Sequence, residues 1–142
     1  MKTADPSVMD FKTLDTIRVC VIDDDEFVLA AIKSLLNSVG IERVVTFANG
    51  QGALNRIENF DEGFELIFCD LNLPDIDGIA LLRALHSTGF KGFVTVLSGE
   101  DHRLLMAAAS FTEALGMNLA GAIQKPLTRT RLAGVLEVLA AH

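Results

Sequence analysis

Residues 67–78 read IFCDLNLPDIDG and place a carboxylate, Asp70, at the point where an apolar segment ends. A proline and a glycine follow at positions 74 and 78, and residues of these types mark turns. In open sheets of parallel strands, ligands bind outside the carboxyl ends of the strands. The stretch therefore predicts a buried strand whose end opens into a polar site, provided that other strands end in the same way.

Short apolar segments alternate with segments of helical periodicity along the chain. Strands are predicted at residues 16–22, 42–48, 64–69, 92–98 and 119–124. Helices are predicted at 28–39, at about 50–60, from 79 to near Gly89, at 104–115 and from 132 to the C-terminus. This alternation predicts an α/β fold with a doubly wound, five-stranded parallel sheet and helices on both faces. We expect one domain over residues 15–142, preceded by a mobile N-terminal extension over residues 1–14, which has no clear period.

The composition argues against several classes of function. A net charge of −7 argues against direct binding to nucleic-acid phosphates, which requires clustered Lys and Arg. No apolar run approaches the length of about 20 residues that spans a bilayer, and residues 1–15 lack the apolar core of a secretion signal. Cys20 and Cys69 lie in apolar segments without metal-site spacing, which favours buried free thiols. We therefore expect a cytoplasmic globular protein that contacts no membrane.

Polar or charged residues mark the ends of four predicted strands. They are Asp23, Asp24 and Asp25 after the first strand, Asp70 after the third, Ser98 at the end of the fourth and Lys125 after the fifth. Because the carboxyl ends of parallel strands share one edge of a sheet, we expect these side chains to converge on one pocket. Each residue also has an ordinary structural explanation: Asp24 or Asp25 as a helix N-cap, and Ser98 and Lys125 as turn residues. A helix cap is the better explanation of Asp77. The other residues all lie at strand ends, and this coincidence favours a shared site.

The chemistry of this set is coherent. Several carboxylates held close together repel one another, which raises their pKa values or recruits a cation. Oxygen ligands of this kind suit Mg²⁺. A carboxylate such as Asp70 can act as a nucleophile and form an aspartyl-phosphate, while Lys125 and Ser98 hold the remaining phosphoryl oxygens.

At these positions the sequence resembles the receiver domain of two-component response regulators, over residues 16–141. The matching motifs are VIDDDEF with the acidic pair Asp23 and Asp24, FCDLNLPDIDG with the phosphoacceptor Asp70, VLSGE with Ser98, and IQKPL with Lys125. The resemblance implies the (βα)5 flavodoxin-like receiver fold with strand order 2-1-3-4-5. It also implies a cis peptide bond between Lys125 and Pro126.

The resemblance further implies how the site works. Mg²⁺ would be bound by Asp24, Asp70 and the backbone carbonyl of Asn72, with Asp23 acting through a water molecule. Asp70 would receive a phosphoryl group from the phosphohistidine of a sensor histidine kinase or of a histidine phosphotransfer protein. Such a domain is not an enzyme on other substrates, because it catalyses only its own phosphorylation and dephosphorylation. A downstream effector or an output domain would read the switch, and a homodimer is compatible with the family.

The sequence departs from the family pattern at two places. Receivers usually carry Tyr or Phe at the position of Ala122, so the swing of an aromatic ring towards the phosphorylated site cannot be assumed. Ser98 and Lys125 are 27 residues apart, several more than is usual, and the excess falls in the helix over 104–115. This long helix is similar to receivers that are associated with cyclic-di-GMP phosphodiesterase domains. The sequence leaves open whether the domain stands alone or belongs to a longer protein.

Two other interpretations compete with the receiver. The pattern Asp-x-Asp also begins the haloacid-dehalogenase-like Mg-dependent phosphatases, with Asp23 as nucleophile, Asp25 as acid, and Ser98 and Lys125 as helpers. That interpretation leaves Asp70 without a role and lacks a later acidic pair. A degenerate receiver that serves only as a docking module is the other alternative, and the complete set of site residues argues against it.

Overall fold

The computed structural model describes residues 11–60 and 63–142, which form a five-stranded parallel sheet with helices on both faces. The strands are β1 (Arg18–Ile22), β2 (Arg43–Phe47), β3 (Leu66–Asp70), β4 (Phe93–Ser98) and β5 (Asn118–Gln124). The helices are α1 (Phe11–Thr16), α2 (Glu26–Ser38), α3 (Gly50–Phe60), α4 (Gly78–Ser87), α5 (His102–Ala114) and α6 (Arg129–Ala140). The predicted α/β class is confirmed, and every predicted strand and helix is present.

The short helix α1 has no counterpart among the predicted elements. Leu14, in α1, and Ile17, which follows it, are each 5 % exposed and pack into the core beside β1. Six residues are too few to show a helical period in the sequence. The first ten residues of the predicted extension lie outside the described part of the chain, and the boundary at residue 15 stays a prediction.

The strands lie in the order β2-β1-β3-β4-β5, and each neighbouring pair is parallel. This is the order that the resemblance implies. The strand order therefore reverses between β1 and β3. This topological switch point is where ligands bind in open α/β sheets. Ile22 pairs with Cys69 at that point, so the residues that follow β1 and end β3 are neighbours.

Each face of the sheet has its own apolar core. Cys20 and Ile22 of β1 pack on one face with α3, α4 and α5, while Val19 and Val21 pack on the other with α1, α2 and α6. Burial on both faces explains why β1 is almost continuously apolar rather than alternating. Among the described residues, none of the helices is long and apolar enough to cross a membrane.

Candidate functional site

Two buried carboxylates lie side by side at the carboxyl edge of the sheet. Asp23 directly follows β1 and is fully buried, and Asp70 is the last residue of β3 and is 2 % exposed. The next residue, Asp24, is exposed at the rim. One carboxylate oxygen from each of these three residues lies within 4.8 Å of the others. The expected convergence is therefore present for Asp23, Asp24 and Asp70, but not for Asp25.

Lys125 brings a positive charge to this cluster from the far edge strand. Its ammonium lies 2.6 Å from Oδ2 of Asp23 and 3.3 Å from Oδ1 of Asp70, and its side chain is 20 % exposed. The residue follows β5, so its side chain reaches past the end of β4 to contact β3 and β1. Its backbone N–H donates to the carbonyl of Ser98 at 2.8 Å, and the peptide bond to Pro126 is cis, as the resemblance implies.

The electrostatics of the cluster follow from burial and from this single cation. Burial raises the pKa of the Asp70 carboxyl above its ordinary value, the N–H of Asn72 opposes that, and the charge of Asp23 adds to it. Lys125 lowers the pKa of Asp70 again but does not cancel the increase. Burial lowers the pKa of Lys125, but its hydrogen bond to Asp23 and the charges of both aspartates raise it more, so it stays protonated. In the described part of the chain, the ammonium of Lys125 thus contacts two of the three clustered carboxyl groups, and a second cation is favoured there.

The two buried aspartates differ in the oxygens that they leave available. Oδ2 of Asp23 is paired with Lys125, and its Oδ1 accepts the N–H of Asp25 at 2.9 Å. The contacts of Asp70 are both made to Oδ1, from Lys125 and from the N–H of Asn72 at 3.2 Å. Oδ2 of Asp70 is therefore the better placed of these oxygens to form a new bond.

Two other acidic residues near the cluster are helix caps. The carboxylate of Asp25 accepts the N–H groups of Phe27 at 2.9 Å and Val28 at 3.4 Å at the start of α2. Asp77 caps α4 through the N–H of Ala80 at 2.9 Å, as predicted. Because Asp25 is committed to this cap, it is poorly placed to act as the general acid that a dehalogenase-like phosphatase requires. The phosphatase interpretation is not supported.

The loop between β3 and α4, residues 71–77, carries Asn72 next to the cluster. The N–H of Asn72 donates to Asp70, and Asn72 also forms an isolated antiparallel bridge with Asp77. These bonds fix the backbone on which the predicted carbonyl ligand lies. One residue of this loop, Asp75, was not predicted to matter: its carboxylate accepts the N–H groups of Gly50 and Gln51 in α3. A contact between residues 25 positions apart leaves no periodic signal in the sequence.

Ser98 lies at the same edge, fully buried at the end of β4. Its hydroxyl donates to the carbonyl of Asp101 at 3.3 Å, so in this state it is bonded to the loop that leads into α5. A Cβ on the intervening Gly99 would meet no atom within 4 Å, so this side of Gly99 faces open space. Ala122 pairs with Val96 in the sheet and lines a groove of about 450 Å³ between α5 and α6.

Comparison with known proteins is consistent with this geometry. A family model described as the response regulator receiver domain matches residues 19–137. A protein-glutamate methylesterase/protein-glutamine glutaminase from Nocardioides is 32 % identical over 111 residues, which are 78 % of this chain and 29 % of that protein. The cyclic di-GMP phosphodiesterase RocR of Pseudomonas aeruginosa is 28 % identical over 123 residues, which are 87 % of this chain and 31 % of that protein. The chain thus spans less than a third of the length of these relatives.

Solved structures are similar over most of the chain. A CheY-like response regulator receiver domain protein from Methanospirillum hungatei has a TM-score of 0.69 and 28 % identity, and the match covers 88 % of this chain and 94 % of that one. The CheX–CheY–BeF3–Mg complex from Borrelia burgdorferi has a TM-score of 0.74 and 23 % identity, with coverage of 94 % and 96 %. The second likeness concerns the fold alone.

Proposed function

Since the chain belongs to the response regulator receiver domain family, we propose that it accepts a phosphoryl group on Asp70 and thereby switches a partner or an output domain. Receiver domains of two-component systems are phosphoacceptors, and the receiver interpretation of this sequence is confirmed at the level of the family. The observation that supports Asp70 in particular is the shared contact of Lys125 with Asp23 and Asp70 at one edge of the sheet. That contact leaves Oδ2 of Asp70 available for the transferred group.

The donor set fits the Mg²⁺ that receiver domains bind at an acidic pocket. It contains only oxygen atoms, and the three clustered carboxyl groups outnumber the single ammonium. Asp24, Asp70 and the backbone carbonyl of Asn72 would hold the ion, with Asp23 contributing through a water molecule. When bound, the ion supplies positive charge that offsets the charge on the phosphoryl oxygens.

The transfer is a displacement at phosphorus. Oδ2 of Asp70 attacks the phosphorus of a phosphohistidine, a phosphorus–oxygen bond forms, and the phosphorus–nitrogen bond breaks with its electron pair left on the imidazole. Lys125 is protonated and close enough to Asp70 to bind an oxygen of the new phosphoryl group. The Ser98 hydroxyl binds another oxygen once it leaves the carbonyl of Asp101. Positioning and charge supply most of the catalysis in such transfers.

The partners follow from this chemistry. The donor is a sensor histidine kinase or a histidine phosphotransfer protein in the cytoplasm, and the acceptor domain acts on no substrate other than itself. The relatives named above carry methylesterase or phosphodiesterase activities in proteins more than three times as long as the matched region. An output domain or a separate effector therefore reads the phosphorylated state of Asp70, and this domain needs no direct contact with nucleic acid.

Uptake of label from phosphoramidate tests the proposal, since this donor has the phosphorus–nitrogen bond of phosphohistidine. We expect the wild-type protein to gain about one phosphoryl group per chain when Mg²⁺ is present and none after chelation. Asp70→Asn should remove the uptake, whereas Asp77→Asn, which changes a capping carboxylate in the loop after Asp70, should keep it. Equal uptake by wild type and Asp70→Asn would show that the acceptor is another residue.

A further inference from the structure

Asp75 lies in the loop between β3 and α4 but bonds to a different helix. Its Oδ1 accepts the N–H of Gly50 at 3.1 Å, and its Oδ2 accepts the N–H of Gln51 at 2.9 Å. These are the first two residues of α3, whose N–H groups have no partner within their own helix. The carboxylate thus caps a helix that lies 25 residues earlier in the chain.

Apolar packing supports the same contact. Ile76, the neighbour of Asp75, lies so close to Gly50 that a Cβ at this position would collide with its side chain. A side chain at position 50 would push the loop away from α3, so glycine is required for this approach. The loop is therefore held to α3 by two hydrogen bonds and by a close apolar contact.

The other side of the loop faces the acidic cluster. Asn72, three residues before Asp75, donates its N–H to Oδ1 of Asp70 and bridges to Asp77. Contacts on both sides leave this short segment little freedom. Loss of solvent raises the pKa of Asp75, but the N–H groups of Gln51 and Gly50, together with its own backbone N–H, lower the pKa by more. Its pKa therefore lies below the ordinary range, and the group is ionised at neutral pH.

We propose that Asp75 is a positioning residue for the phosphoacceptor site, which fixes the backbone of Asn72 beside Asp70 by clamping the loop over 71–77 to α3. This inference rests on the proposed function, because it gives Asp75 its effect through the carbonyl ligand of that site. Without the clamp, the loop samples positions in which the carbonyl of Asn72 lies away from Asp70. Groups that orient a metal ligand typically change metal affinity by about 10-fold or more when they are removed.

Three variants distinguish a positioning role of Asp75 from the loss of its charge and from the loss of a helix cap. Asp75→Ala removes the clamp, and Asp75→Asn removes the same charge but keeps an oxygen that can accept one of the two hydrogen bonds. Asn49→Ala is the matched control: Oδ1 of Asn49 accepts the N–H of Gly52 at 2.7 Å, so it caps the same helix without a bond to the loop. A purely structural role for Asp75 predicts that its loss and the loss of Asn49 have the same effect.

The test is a calorimetric titration of each variant with Mg²⁺ alone, together with amide hydrogen exchange of the metal-free proteins. We expect Asp75→Ala to weaken Mg²⁺ binding about 10-fold, Asp75→Asn to weaken it less, and Asn49→Ala to leave it unchanged. Exchange in the peptide that covers residues 71–77 should accelerate in Asp75→Ala and stay the same in Asn49→Ala.

Several results overturn the inference. Unchanged Mg²⁺ affinity in Asp75→Ala would contradict it, and so would equal losses in Asp75→Ala and Asp75→Asn, which point to charge alone. If the wild-type protein binds no Mg²⁺, the proposed function is at fault, and the exchange data still decide whether Asp75 holds the loop. In that case, amide exchange over residues 71–77 that is the same in Asp75→Ala and in the wild type would alone show that Asp75 does not hold the loop.

Discussion

The ammonium of Lys125 lies 2.6 Å from Oδ2 of Asp23, a carboxylate that is fully buried at the end of β1. The same ammonium lies 3.3 Å from Oδ1 of Asp70, so one cation serves two buried acidic residues that come from neighbouring strands. Charges in such surroundings are costly when they lose their partner. The stability of the metal-free protein therefore depends on this lysine.

Lys125→Ala should lower the free energy of unfolding of the metal-free protein by about 3 kcal/mol, because two buried carboxylates lose their counter-charge. Mg²⁺ should then stabilise the variant more than it stabilises the wild type, since it replaces the missing positive charge. Urea unfolding with and without Mg²⁺ measures both effects. Lys91→Ala, which removes an exposed lysine, controls for net charge. Equal stabilities of Lys125→Ala and Lys91→Ala would contradict the account.

Mg²⁺ itself should stabilise the folded wild-type protein. A ligand that binds only the folded state adds about 1.4 kcal/mol to the free energy of unfolding at ten times its Kd. Asp24→Asn should make the metal-free protein more stable, because it relieves repulsion with Asp23 and Asp70, and it should weaken the response to Mg²⁺. Thermal melting over a series of Mg²⁺ concentrations checks both points. A melting temperature of the wild-type protein that stays the same in millimolar Mg²⁺ would count against the metal site.

The sequence was sufficient to predict that Asp23, Asp24 and Asp70 lie at one edge of the sheet. Asp23 follows an apolar strand and Asp70 ends another, and the carboxyl ends of parallel strands necessarily share one edge of the sheet. Their adjacency, however, requires β1 and β3 to be neighbours, and only the resemblance to a known family implied that order. The choice between Asp24 and Asp25 as the cap of α2 likewise needed the structure, because both precede the helix by a similar distance.

Contacts that depend on tertiary geometry could not be predicted. The reach of Lys125 past β4 to Asp23 depends on the position of β5 in the sheet, which no local pattern specifies. The cap that Asp75 places on α3 joins a loop to the start of a helix 25 residues earlier in the chain. In each case the residue type is visible in the sequence, but its partner is set by the packing of other elements.

Phosphorylation should be read out through residues 99–122. The Ser98 hydroxyl donates to the carbonyl of Asp101, and the carboxylate of Asp101 caps α5 through the N–H of Leu104 at 3.0 Å. When Ser98 turns to a phosphoryl oxygen, the first bond is lost and the start of α5 is loosened. Hydrogen exchange with and without beryllofluoride and Mg²⁺ should therefore change across this region, although Ala122 provides no aromatic ring.

Ser98→Ala is the matched variant for this prediction, because it lacks the hydroxyl in both states and keeps the N-cap at Asp101. Its exchange at the start of α5 should no longer respond to beryllofluoride, even if beryllofluoride still binds. Changes in protection confined to α2 and α3, with none across residues 99–122 of the wild type, would refute this route.

Cys69 should be unreactive in the folded protein. Burial, together with the neighbouring charge of Asp70, raises the pKa of its thiol to about 12. Native protein at pH 8 should thus leave this thiol unmodified by a disulfide reagent, whereas unfolding in urea should expose it. A Cys20→Ala variant leaves Cys69 as the sole thiol, so that any modification measured can be assigned to Cys69. Rapid modification of the native variant would show that the strand end is open to solvent.

The raised pKa of the Cys69 thiol predicts that the free energy of unfolding depends on pH. Between the ordinary value of 9.0 and about 12, the unfolded thiol loses its proton while the folded one keeps it, so the folded state binds more protons. The stability that Cys69 contributes should accordingly fall as pH rises above about 9, by about 1.4 kcal/mol per pH unit. Cys69→Ala lacks this slope and serves as the reference. If the free energy of unfolding of the wild type and of Cys69→Ala changed with pH in the same way, this would contradict the burial of the Cys69 thiol.

Reduction of the phosphorylated protein with borohydride, followed by mass spectrometry of its peptides, tests the central claim most directly. Borohydride converts an aspartyl-phosphate to homoserine and so marks the acceptor residue permanently. After phosphorylation with phosphoramidate and Mg²⁺, we predict homoserine at position 70, in the peptide that contains β3 and the loop to α4. Homoserine at position 23, or label uptake without homoserine at position 70, would contradict the assignment of Asp70 as the phosphoacceptor.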